Sequence, residues 1–197
     1  MKLVIATRNA HKLEEIQAIF DFQGLDVQSA FDFPEIPDVV EDADTFVGNA
    51  SKKAVEVAKA TGCWALADDS GLEVNALEGA PGVYSARYAG EPCSYEKNNE
   101  KLLHELSGVK NRSARFRTVI ALSDPEGHVK TVEGICPGKI IDELRGTHGF
   151  GYDPLFVPEG YEQTFAELDA SVKNKISHRA RALRAAQDAW GKLLSSL

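Results

Sequence analysis

Lys2-Leu3-Val4-Ile5-Ala6-Thr7-Arg8-Asn9-Ala10-His11-Lys12-Leu13 is the stretch that decides the fold. Lys2 to Ala6 is rich enough in β-branched and apolar residues for a short strand, and Thr7 to Asn9 are loop and cap formers. Leu13, Ile16, Ile19 and Phe20 then fall on one face of a helix that stops at Gly24. Strand, loop and helix in that order open an α/β protein. The pattern continues with a strand over Asp26 to Ala30 and an acidic, Pro-containing loop from Phe31 to Asp44. A helix follows, lined by Phe46, Ala50, Ala54, Val57 and Ala58 and ended by Gly62, and Trp64 to Asp68 makes a third strand.

Farther along, Asn75 to Gly90 has the Gly and Pro content of a structured loop, and Leu102, Leu103 and Leu106 mark another helix. Arg115, Arg117 and Val119 alternate with Phe116, Thr118 and Ile120, Asp124 to Gly127 makes a turn, and Val129 to Val132 returns as a hairpin partner. The last helix is predicted over Lys173 to Leu194, with Ile176, Ala180, Leu183, Ala186, Trp190 and Leu193 facing the core. The expected fold is therefore α/β with a mixed sheet flanked by helices, in one domain over residues 1–197 with room for two tightly joined lobes.

Composition narrows the function. Hydrophobic residues at 43% and charged residues at 26% exclude a disordered chain. The longest unbroken apolar run, Cys63 to Ala67, is 5 residues, whereas a membrane span takes about 20. The first apolar stretch is too short for a signal peptide, so a cytoplasmic protein is expected. A net charge of -8 repels nucleic acids and anionic membranes, so neither is an expected partner, and an anionic substrate needs a local basic site. Cys63, Cys93 and Cys136 lack the spacing of a metal or disulfide framework and are expected to stay reduced.

Four constellations can carry chemistry. Thr7 to Lys12 lies between a strand end and a helix start, where backbone N–H groups and the helix dipole favour a phosphate; the plainer reading is a helix cap supplied by Thr7 or Asn9. Ala67-Asp68-Asp69-Ser70-Gly71 puts two carboxylates at a strand end, as Mg2+ bound to phosphates requires, though Asp-Asp-Ser-Gly is also a good turn. If the strand persists, the two Asp side chains point to opposite faces and one is architectural. Gly149-Phe150-Gly151-Tyr152-Asp153-Pro154 holds two aromatics that either stack on a base or plug the core. Lys173 to Arg179 concentrates cations in an acidic chain, by default a solvated helix face.

Taken together with Thr45-Phe46, Asn49-Ala50, Lys53-Ala54 and Pro81-Gly82-Val83-Tyr84-Ser85-Ala86-Arg87, these motifs resemble the inosine/xanthosine triphosphate pyrophosphatase family over nearly the whole chain. The resemblance implies an elongated mixed sheet in two lobes with an active-site cleft between them, and usually a homodimer. It also implies Mg2+-dependent hydrolysis of ITP, dITP and XTP to the monophosphate and pyrophosphate. By motif, the triphosphate falls to Thr7, Arg8, Asn9, Ala10, His11, Lys12, Lys53 and Ser70, and metal binding to Glu41 and Asp69, with Asp69 also the proton acceptor. Phe150, Gly151, Tyr152, Asp153, Lys173, His178 and Arg179 fall around the base. Two positions depart from the family pattern: Arg8 stands where Gly is frequent, and Gly48 replaces a common Glu. A pyrophosphatase for other modified nucleotides and a non-catalytic nucleotide-binding module remain the alternatives.

Overall fold

The computed structural model describes residues 2–21 and 24–195. Strands β1 (Lys2–Ile5), β2 (Asp26–Ser29), β3 (Trp64–Val74), β4 (Ser113–Ser123), β5 (Val129–Ile140) and β6 (Phe156–Pro158) form one sheet in the order β2-β1-β3-β4-β5-β6. β1 runs parallel to both β2 and β3, with Leu3 opposite Val27 on one side and Trp64 on the other. β5 and β6 are antiparallel, so the sheet is mixed, as expected. The helices are α1 (Ala10–Ile19), α2 (Phe46–Thr61), α3 (Tyr95–Glu105), α4 (Ala170–Ile176) and α5 (His178–Ser195). Among the described residues no helix is long and apolar enough to cross a membrane. All three cysteines are free thiols.

The chain divides into two compact units. The first comprises Met1–Asp69, Thr118–Gly134 and Arg179–Leu197, and the second Ser70–Arg117 and Ile135–His178. In the first, Leu3, Ile5, Leu66, Ile120 and Leu122 of the sheet pack with Ile16 of α1 and with Ala182, Leu183, Ala186 and Trp190 of α5. The alternate strand residues Val4, Ala65 and Ala67 are at most 1% exposed, so both sheet faces are covered there. Thr45 caps α2 by accepting the Gly48 N–H, and Gly62 ends it in the left-handed conformation, φ 65°, that favours glycine.

In the second unit, Leu72, Val74, Phe116, Cys136 and Ile140 of the strands form a core with Leu102 of α3 and with Leu155 and Phe165. The Phe116 ring meets Phe156 nearly edge-on with centroids 4.7 Å apart. Burying each such Leu or Phe contributes roughly 1.5–3 kcal/mol, enough for these cores to carry buried charges whose own net contribution is small.

Several elements differ from the sequence expectation: α1 ends at Ile19 rather than near Gly24, and β5 runs on past Val132 to Ile140. β3 does not end at Asp68 but runs through Asp69, Ser70 and Gly71 to Val74, which rules out the turn. Apolar residues resume with period two at Leu72 and Val74, both fully buried, and their burial outweighs the turn preference of Asp-Asp-Ser-Gly. The last helix is broken at Ser177, whose ψ of 161° is extended, so α4 and α5 replace one continuous helix. β6 is too short for any periodicity to reveal it. The loop from Asn75 to Gly90 contains two short 3-10 turns, Asn75–Leu77 and Gly82–Arg87.

Candidate active site

The cationic turn and the acidic strand converge in the first unit. β1 delivers the chain to Thr7, whose hydroxyl accepts the Asn9 N–H at 3.2 Å. Asn9 is the N-cap of α1, its side chain accepting the Lys12 N–H at 3.2 Å. The capping reading of Thr7 and Asn9 is thus realised, and it leaves Ala10 and His11 exposed on the first turn of a helix whose dipole favours an anion. Lys12 extends from this turn to Asp68, Nζ to Oδ2 3.1 Å. The Arg8 guanidinium turns away: it pairs with Asp38 and donates to the carbonyls of Phe33, 2.9 Å, and Ile36, 2.6 Å.

Asp68 and Asp69, neighbours on one strand, have different partners. Fully buried Asp68 also receives Arg179 Nη2 at 3.2 Å, and Arg179, 1% exposed, pairs in addition with Glu15. Burial alone would raise the Asp68 pKa, but Lys12, Arg179 and Lys53 together hold it well below the usual carboxylate range. Asp68 is thus a permanently ionised anchor for these cations. Asp69 is 4% exposed and accepts a hydrogen bond from Asn49 Nδ2 at 3.1 Å. Burial pushes its pKa up to about 6; Lys12 opposes the rise, and the nearby Glu41 carboxylate adds to it.

Helix α2 supplies the remaining groups. Asn49 and Lys53 lie four residues apart and hence on one face. Lys53 Nζ donates to the Asp68 carbonyl at 2.9 Å and pairs with Glu41. Burial opposes the Lys53 charge, yet Asp68, Glu41 and Asp69 outweigh it and raise its pKa. Ser70, next after Asp69 on β3, is half-buried.

The second unit assembles a different kind of site. Gly149 and Gly151 both have positive φ, 75° and 63°. A Cβ at Gly149 would lie 2.0 Å from Asp153 Oδ2, so only glycine lets the loop close on that carboxylate. Asp153 Oδ2 accepts the Phe150 N–H at 2.9 Å and Lys173 Nζ at 2.6 Å. The same Nζ stands 5.1 Å from the centre of the half-buried Phe150 ring, and Tyr95, at the start of α3, approaches that ring from 6.0 Å. Tyr152 is the core plug of the pair: its ring is 4% exposed, its hydroxyl donates to the Ser85 carbonyl at 2.8 Å, and burial raises its pKa. His178 stacks on Phe116 with centroids 4.6 Å apart. The extended break at Ser177 gives the consecutive residues His178 and Arg179 different surroundings, an aromatic stack for one and a carboxylate cluster for the other.

Among the described residues no group of three or more His, Cys, Asp and Glu side chains gathers around one point to hold a metal. Asp69 and Glu41 nevertheless suit a hard divalent cation. They are oxygen donors close enough to raise the Asp69 pKa, and a cation that arrives with phosphate oxygens needs only one or two carboxylates. The departures at residues 8 and 48 are also explained locally: Arg8 ties down the acidic loop, and Gly48 sits where Glu would complete a capping box with Thr45. Sequence reasoning gave no role to Asn49 or Tyr95. The spacing of Asn49 and Lys53 along the Phe46, Ala50, Ala54 and Val57 stripe is the available signal for the first, and nothing points to the second.

Residues 3–189 match the model of the Ham1 family. A dITP/XTP pyrophosphatase of Desulforamulus reducens is 54% identical over 195 residues, covering 98% of this chain and 97% of its own. One from Geobacter sulfurreducens is 53% identical over 192 residues, with 96% of each covered. The solved Ham1 protein of Staphylococcus aureus is 40% identical, has a TM-score of 0.89, and covers 98% of this chain and 100% of its own. With fold, sequence and motif order agreeing along almost its entire length, the chain belongs to the Ham1 family.

Proposed function

We propose that the protein hydrolyses deaminated purine nucleoside triphosphates, dITP, ITP and XTP, to the monophosphate and pyrophosphate with Mg2+, removing them from the nucleotide pool. The observation that carries this reading is the convergence on one strand of the buried carboxyl Asp69 with two cations held beside it, Lys12 on the Asp68 carboxylate and Lys53 on the Asp68 carbonyl. The triphosphate lies along Thr7 to Lys12, with Lys12, Lys53, Ser70 and the N–H groups opening α1 as its donors. Asp69 and Glu41 would hold Mg2+ together with phosphate oxygens, and the ion would supply charge neutralisation at the leaving pyrophosphate. Asp69 orients a water for attack on the α-phosphorus and takes its proton, burial making this carboxylate a better proton acceptor than an exposed one. Lys12 and Lys53 stabilise the charge that develops on the departing oxygens.

The purine stacks on Phe150. Lys173 and His178 donate to its 6-oxo group, Asp153 faces N1–H, and Gly151 and Tyr152 shape the loop. Adenine presents the reverse donor pattern and leaves those buried groups unpaired. The reading includes a cytoplasmic homodimer, which sedimentation tests. Pyrophosphate release from a panel of dITP, ITP, XTP, GTP and dTTP with Mg2+ is the test of function. Preference for dITP, ITP and XTP is expected, and preference for GTP or dTTP would overturn the assignment.

A further inference from the structure

Asn49 is 1% exposed and uses both ends of its amide. Oδ1 accepts the Ala43 N–H at 2.9 Å, and Nδ2 donates to Asp69 Oδ2 at 3.1 Å. This orientation is dictated by chemistry, because a backbone N–H only donates and a carboxylate only accepts. Asn49 therefore ties the loop carrying Glu41, two positions before Ala43, to the strand carrying Asp69. Other ties at this end of the loop include the Lys53 pair to Glu41 and a Lys52 pair to the exposed Asp42, and an exposed pair contributes little.

In this chain the loop packs closely on residue 48. A Cβ at Gly48 would stand 2.7 Å from Ala43 Cβ and 3.1 Å from Thr45 Oγ1, so a side chain here pushes against the loop that Asn49 holds. Ala43 is itself the residue whose N–H Asn49 accepts, so displacing it strains the bridge directly.

We propose that Asn49 is a positioning residue that sets the rotation of the Asp69 carboxylate and its distance from Glu41, and that in this chain the loop it holds has settled against the bare Cα of Gly48. This rests on the reading of Asp69 and Glu41 as the groups that hold Mg2+. A buried amide on Oδ2 restricts rotation of the carboxylate, and the bond to Ala43 limits how far the loop carrying Glu41 can withdraw. Outer partners of metal-holding carboxylates typically matter by about 10- to 100-fold in affinity or activity.

Two variants test it. Asn49→Asp keeps the shape and the acceptor for Ala43 but turns an acceptor toward Asp69. Gly48→Ala leaves Asn49 intact, improves helix propensity, and crowds the loop. Binding of Mg2+ alone is measured by titration calorimetry, kcat and KM for dITP by pyrophosphate release, and stability by the urea midpoint. In Asn49→Asp, Mg2+ affinity and kcat should fall by about 10- to 100-fold with KM for dITP nearly unchanged. In Gly48→Ala they should fall by about tenfold while the urea midpoint holds or rises, a divergence that a purely structural role does not produce. Wild-type Mg2+ affinity and kcat in both variants would overturn the inference. A wild-type protein that releases no pyrophosphate from dITP would instead sink the reading of function, and the Mg2+ affinities would still decide the role of Asn49.

Discussion

Replacing Asp69 by Asn should stabilise the protein while stopping turnover. Asp69 is 4% exposed, and burial lifts its pKa from 3.8 to about 6. The folded chain therefore binds this proton more tightly than the unfolded chain, so above about pH 6 the ionised carboxylate opposes folding, and the opposition fades as the pH falls toward 3.8. A difference of about two units corresponds to about 3 kcal/mol at pH 7.5 and, with the unfolded group still mostly ionised, to about 1 kcal/mol at pH 4.5. Asn is neutral throughout and nearly isosteric, and its oxygen still accepts from Asn49. Urea unfolding in the presence of a chelator, followed by the fluorescence of Trp64 and Trp190, measures the gap. The Asn variant should be the more stable by about 3 kcal/mol at pH 7.5, narrowing to about 1 kcal/mol at pH 4.5. A variant no more stable than wild type at the higher pH, or a gap independent of pH, would show that burial does not govern this carboxyl.

Loss of the Phe150 ring in Phe150→Ala should raise KM for every purine substrate by about 5- to 150-fold, from roughly 1–3 kcal/mol of base stacking, and an unchanged KM in steady-state assays would make the ring a structural plug. Lys12→Ala should raise KM for dITP by about tenfold or more, since a hydrogen bond to a charged group contributes roughly 1.5–3 kcal/mol; the same assay decides. Arg179→Met removes a cation from buried Asp68 and Glu15 and should cost about 3–5 kcal/mol in urea unfolding at neutral pH. Because the Asp68 pKa is lowered in the fold, the stability it contributes is present above about pH 4 and is lost on acidification, so the cost of Arg179→Met should shrink below that pH.

Elements with regular apolar spacing were legible from sequence: β1 and α2 lie within two residues of their expected bounds, whereas α1, expected to stop at Gly24, ends at Ile19. Where burial overrides local preference, the sequence misleads. Asp-Asp-Ser-Gly has turn chemistry but continues as strand because Leu72 and Val74 beyond it are buried. Ser177 interrupts an apolar stripe that runs on unbroken from Ile176 to Ala180, so periodicity alone could not locate the break. The candidate site divides in the same way. Motif order marks Lys12, Lys53, Asp69, Asp153 and Lys173, which gather in two clusters, but not what each cation holds. Arg8 was grouped with the phosphate turn, yet its guanidinium satisfies two carbonyls more than twenty residues away, a non-local contact that leaves no trace in spacing. Asn49 is likewise defined by partners on a loop and a strand distant from it in the chain.

Attack of water on the α-phosphorus is the central step, and isotope labelling reads it directly. Hydrolysis of dITP in 18O-labelled water, with products analysed by mass spectrometry, should give dIMP carrying the label and unlabelled pyrophosphate. Label in pyrophosphate, or release of dIDP and inorganic phosphate, would contradict it.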